Sequence, residues 1–134
     1  MKDPTKNVKN CPIATAMKYI GRKWTFNILR DLYIGKKRFT DFIDNNQGLS
    51  TKMLSHRLVE LEKDDIIEKV ITNKTPLRIE YALTDKGRDM NRVLYEIIMF
   101  SFKHYPKEVF CDSSKADINE LSATVKKMFN IHNQ

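Results

Sequence analysis

The 134-residue sequence predicts a mainly α-helical domain with one small β-hairpin. Three observations predict it. Apolar residues recur at helical spacing through most of the chain, as in Leu54, Leu58 and Leu61. The period changes once: residues 66–72 are rich in β-branched side chains, and residues 78–83 alternate polar and apolar. Between those runs stands Asn73-Lys74-Thr75-Pro76, which is turn chemistry.

The elements follow in order. Residues 1–10 are polar and read as a loose arm. Pro12 suits the first turn of a helix, Ile13, Ala16, Met17 and Ile20 recur at helical spacing, and Gly21 is a natural stop. A second helix starts near Lys23, with Trp24, Ile28 and Leu32 on one face and Gly35 closing it. Lys36-Lys37-Arg38 forms a basic loop. Phe39, Phe42 and Ile43 mark a short helix, closed by Asn45, Asn46 and Gly48. After the hairpin, Thr84 can cap a long helix reaching about His104. That helix is apolar almost all round from Ile97 to Phe102, so it needs cover on every side. A polar link over residues 111–115 leads to a last helix with the stripe Ile118, Leu121, Val125 and Met128.

The centre of this plan is the stretch from Gly48 to Leu61. Ser50 can cap a helix whose buried seam is Leu54, Leu58 and Leu61. Lys52, Ser55 and His56 point away from the seam, and no acid precedes Glu60. Such a polarity suits entry of the first turns into a DNA groove, although an ordinary amphipathic surface helix would look the same. The flanking chain favours the first reading. A short helix, this helix and then a hairpin make the winged helix arrangement, a helix-turn-helix with the hairpin as its wing.

Charge points the same way. The formal net charge is +7. Residues 1–57 hold 12 Lys/Arg against 4 Asp/Glu, a net of +8, whereas residues 58–134 hold 12 against 13, a net of −1. Such asymmetry suits a polyanionic partner, nucleic acid or an anionic membrane surface. No apolar run is long enough to span a membrane and no secretory leader is evident, so a cytoplasmic protein is expected. The two cysteines, Cys11 and Cys111, lack the spacing of a zinc site and read as reduced thiols. The three histidines are scattered, so no metal site is expected. No phosphate loop, His-Glu-x-x-His or Gly-x-Ser-x-Gly occurs, so neither an enzyme nor a cofactor is expected. Trp24, Phe26, Phe39 and Phe42 read as core.

Several stretches resemble the HxlR-type winged helix regulators, relatives of the MarR-type regulators. They are Cys11-Pro12, Gly21-Arg22-Lys23-Trp24, Gly35-Lys36-Lys37-Arg38-Phe39, Gly48-Leu49-Ser50-Thr51-Lys52-Met53-Leu54 with Arg57-Leu58 and Glu60-Leu61, and Arg78-Ile79-Glu80-Tyr81-Ala82-Leu83-Thr84 with Lys86-Gly87. They come in the family's order over residues 11–102. Arg22 departs from the family's second glycine, and Asp65 stands where a glycine commonly follows the reading helix. The length suits a single domain over residues 1–134, in which residues 103–134, outside the resemblance, form a helical extension expected to serve dimerisation. The resemblance implies a homodimer that binds a (pseudo)palindromic operator in double-stranded DNA and represses or activates transcription.

On this reading Ser50, Thr51, Lys52, Ser55 and His56 approach base edges or phosphates. Lys36, Lys37 and Arg38 sit on phosphates, and Lys74 and Arg78 on the wing reach the adjacent minor groove or backbone. Arg57 either meets a phosphate or pairs with an acid that holds the helix in place. Dimerisation through the N- and C-terminal helices falls to Ile13, Met17, Ile97, Ile98, Phe100, Leu121, Val125 and Met128. The resemblance also implies that Cys11 senses a small oxidant or electrophile; a buried, inert thiol is the alternative. Another use of the fold stays open, a winged helix interaction module that docks proteins rather than specific DNA.

Overall fold

The computed structural model describes residues 3–132. Its elements are α1 (Pro12–Ile20), α2 (Thr25–Tyr33), α3 (Phe39–Asn45), α4 (Thr51–Lys63), β1 (Ile67–Lys74), β2 (Leu77–Leu83), α5 (Asp85–Arg88), α6 (Asn91–His104), α7 (Pro106–Val109) and α8 (Ile118–Met128). Helices α3 and α4 are the helix-turn-helix, and the β1–β2 hairpin is the wing. The strands pair antiparallel from Ile67↔Leu83 to Lys74↔Leu77, with an irregularity between Ile71 and Asn73.

The core forms where the apolar seams of α2, α3 and α4 meet the base of the hairpin. Ile28, Leu29, Phe42, Leu54, Leu58, Leu61 and Ile67 are fully or almost fully buried. Trp24, Phe26 and Phe39 pack against this cluster, as the sequence predicts. The carbonyl of Ile66 lies 2.1 Å from where a Cβ on Gly87 would stand. Any side chain at residue 87 would push α5 off the foot of the wing.

Local chemistry sets several boundaries. Asp65 takes the left-handed conformation at φ 60°, so it fills the place of the glycine commonly found there. Trp24 is also left-handed, at φ 76°, and stands before α2 rather than within it. The second helix therefore starts at Thr25, two residues later than predicted. The arm before Cys11 is partly ordered: a 3₁₀ turn spans Pro4–Asn7, and the Asp3 carboxylate accepts from the Thr5 amide at 2.9 Å.

The single long helix predicted after Thr84 is two helices. Met90 N–H bonds the Gly87 carbonyl at 3.1 Å, a tight turn that ends α5. The Asn91 side chain donates to the Phe129 carbonyl at 3.1 Å, which anchors the restart to the far end of the chain. Nearby, burial pushes the Tyr33 phenol up to about 12. Its hydroxyl donates to the Arg88 carbonyl.

Helix α8 corrects another expectation. Val125 is only 5% exposed and Phe129 is fully buried, so this face of α8 belongs to the chain's own core. Phe129 meets the edge of Tyr33 with ring centroids 5.2 Å apart. Val125, one turn earlier on the same face, is thereby removed from any partner surface. Ile98 likewise packs against the core and is half-buried.

Candidate nucleic-acid interface

Ser50 caps α4: its Oγ accepts from the Met53 amide at 3.1 Å. Leu54, Leu58 and Leu61 anchor the helix inward. That rotation leaves Thr51, Lys52, Ser55 and His56 exposed on the opposite side. Among the described residues, Lys36, Lys37, Lys52, His56, Lys74 and Arg78 are exposed and form no ion pair within the chain.

The turn before α4 is tied to α2 by hydrogen bonds that the sequence does not display. Gly48 is left-handed at φ 91°, and a Cβ there would stand 3.8 Å from the Trp24 indole. Asn46 is buried and donates to the Asp31 carboxylate at 2.7 Å and to the Phe42 carbonyl at 2.8 Å. Asn45 donates to the other Asp31 oxygen at 2.6 Å. Arg30 donates to that same oxygen at 2.8 Å and to Asn46 Oδ1 at 2.9 Å. The network ties α2 to the end of α3, and hence to the start of α4.

The basic loop is fixed at both ends. Amides of Lys37 and Arg38 donate to Asp41 Oδ2 at 3.1 and 3.0 Å, which holds that carboxyl below its usual range. The Lys37 carbonyl accepts from Tyr81 N–H of β2 at 2.8 Å. The three basic side chains therefore stand between the helix-turn-helix and the wing, on a backbone held by both.

Arg57 answers the alternative left open by the sequence. Its side chain is 14% exposed, with Nη1 3.0 Å from Glu60 Oε2. Its Nε donates to the Lys23 carbonyl at 2.7 Å. Glu60 Oε2 also receives Arg22 at 3.0 Å. Arg57 is thus engaged with an acid and a carbonyl, as a residue that holds α4 in place. Arg22, which stands in place of the family's second glycine, is likewise paired.

Apolar side chains remain uncovered on α1, α6 and α8, as on the wing. Nearly all of α1 is exposed, including Ile13 (73%) and Met17. On α6, Val93, Ile97 and Phe100 line an open groove, and Phe100 is 57% exposed. Met128 is exposed and Leu121 half-buried on α8. Cys11 is an exposed free thiol at the N-cap of α1, and Cys111 is also exposed and free. Among the described residues there is no cluster that could hold a metal ion, and no helix long and apolar enough to cross a membrane.

Comparison with known proteins agrees with this geometry. A family model described as HxlR-like helix-turn-helix matches residues 19–109. The HTH-type transcriptional regulator YodB of Bacillus subtilis (strain 168) is 32% identical over 107 residues, covering 78% of this chain and 96% of YodB. The solved structure of the redox regulator HypR in its oxidized form superposes with a TM-score of 0.65 at 27% identity, covering 70% of this chain and 97% of HypR. The crystal structure of a regulator described as ytcD superposes with a TM-score of 0.66 at 30% identity, covering 71% of this chain and 97% of that one. A helix-turn-helix with an unpaired polar face, a basic loop and wing beside it, and a family match over two-thirds of its length together establish that this chain belongs to the HxlR-like helix-turn-helix family of DNA-binding transcriptional regulators.

Proposed function

We propose that the protein acts as a homodimer that binds a pseudo-palindromic operator, with α4 of each subunit in the major groove. The observation that carries this reading is the outward face of α4. Lys52, Ser55 and His56 are exposed there, while Arg57 and Glu60 hold the helix from behind. Lys36, Lys37 and Arg38 lie against phosphates, and Lys74 and Arg78 reach the adjacent minor groove or backbone. The exposed apolar residues of α1 and α6 (Ile13, Met17, Ile97 and Phe100) join the two subunits, with Met128 and Leu121 of the 103–134 extension beside them. Two-fold pairing then sets the two α4 helices roughly one DNA turn, about 34–36 Å, apart.

Lys52 is the side chain to test. If it reads a base, Lys52→Ala weakens operator binding by about 1–3 kcal/mol and relaxes selectivity at that position. Fluorescence anisotropy with operator and unrelated duplexes measures both. An equal loss on every duplex would reassign Lys52 to phosphate; no loss on any would remove it from the interface.

Cys11 adds regulation to this reading. It is exposed at the start of the helix proposed to join the subunits, so its oxidation would act where the two α4 helices are set relative to each other. HypR, which shares this fold, is described as a redox regulator.

A further inference from the structure

We propose that Val59 is a specificity-determining residue that contacts the C5 methyl group of a thymine in the major groove. The inference rests on the DNA-binding reading above and adds a residue that the polar pattern of α4 does not predict.

Val59 is 65% exposed. The other exposed residues of α4 are Thr51, Lys52, Ser55, His56, Glu62 and Lys63, all polar. Lys52, Ser55 and His56 precede Val59 by seven, four and three positions. At 100° per residue all three fall within about 60° of it, so Val59 shares the face argued to meet DNA. It points well away from the buried seam of Leu54, Leu58 and Leu61.

Neither packing nor propensity accounts for a valine there. Its side chain has little cover within the chain, and a β-branched residue is a poorer helix former than Lys, Glu or Gln at an exposed position. Lys52 and Val59 are about 10 Å apart along the axis, roughly three base-pair steps. A helix lying in the groove can therefore present both. The major groove shows hydrogen-bonding groups at every base pair but a single kind of apolar group, the thymine methyl. That methyl is the one base-specific complement for an isopropyl group facing the groove.

The experiment begins with the full-length protein and duplexes selected from a randomised library. Thymines of the selected duplex are then replaced singly by deoxyuridine, which removes the methyl and leaves the hydrogen-bonding edges. At one position per half-site, wild-type affinity should fall about fourfold, the equivalent of ~0.8 kcal/mol for one buried methyl-sized group. Val59→Ser should bind the selected duplex more weakly, ignore that replacement and respond normally to the others. Val59→Thr, which keeps one γ-methyl, should retain part of the response. Thermal melting of both variants should match wild type, because residue 59 lies outside the core.

The proposal is overturned if wild type ignores every deoxyuridine replacement. Retention of the full wild-type response by Val59→Ser at each position overturns it too. So does an equal weakening of all duplexes by that variant, which would mean contact with the sugar-phosphate backbone. If the library yields no enriched duplex, the operator-binding reading fails and this inference fails with it.

Discussion

Asp31 carries a carboxylate into the domain interior with no exposure to solvent, and three side chains converge on it. Two of them, Asn45 and Asn46, belong to the turn that aims α4. Asp31→Ala removes the acceptor that Arg30, Asn45 and Asn46 share, leaving Asn46 only the Phe42 carbonyl and Arg30 only Asn46 Oδ1, a loss of about 2 kcal/mol by the usual cost of an unmade buried hydrogen bond. Urea denaturation checks it, and a loss below ~0.5 kcal/mol, the range of an ordinary surface substitution, would show that the network is dispensable. None of this is legible in the sequence, because the partners lie 14 and 15 residues away and Asp31 looks like an ordinary polar-face residue. Residues governed by local chemistry are legible. Ser50 caps α4 as its position predicts, since its partner amide lies only three residues away. Arg57 lies between these cases: its acid, Glu60, is visible one turn on, whereas the Lys23 carbonyl that completes its fixation is not.

At the level of elements, α4 and the wing follow from periodicity and turn chemistry, and both stand close to the predicted limits. The elements that depart from the sequence pattern are those set by distant packing. The break between α5 and α6 depends on Gly87 fitting under the Ile66 carbonyl and on Asn91 reaching Phe129. Val125 reads as an exposed stripe until α8 folds back and Phe129 enters the core. Helix α1 is the reverse case. Its spacing suggests an amphipathic helix, yet only Ile20 is buried. The helix is poorly covered and bears an exposed thiol at its start, so the proposed sensing role of Cys11 is tested on this element. Operator affinity of wild type should fall after peroxide or diamide, and Cys11→Ser should hold its affinity under the same treatment. Equal responses in the two proteins would exclude Cys11 as the sensor.

Across the whole molecule, the fold places charge where it can act. The positive excess lies in residues 1–57, which the chain folds into α1 to α3 and most of α4. Two of the acids that follow are turned to another use: Glu60 and Asp64 hold Arg22, and Glu60 holds Arg57. Internal pairing thus takes up Arg22 and Arg57, while Lys36, Lys37, Lys52, Lys74 and Arg78 stay unpaired for a polyanion. Such a surface suits a polyanion, and salt separates a DNA-binding regulator from a winged helix that docks proteins. The decisive measurement is the salt dependence of duplex binding. If each subunit neutralises about four phosphates, log K should fall against log salt with a slope of about −7 for the dimer. Binding that holds constant as salt is raised would contradict the assignment of this surface to DNA.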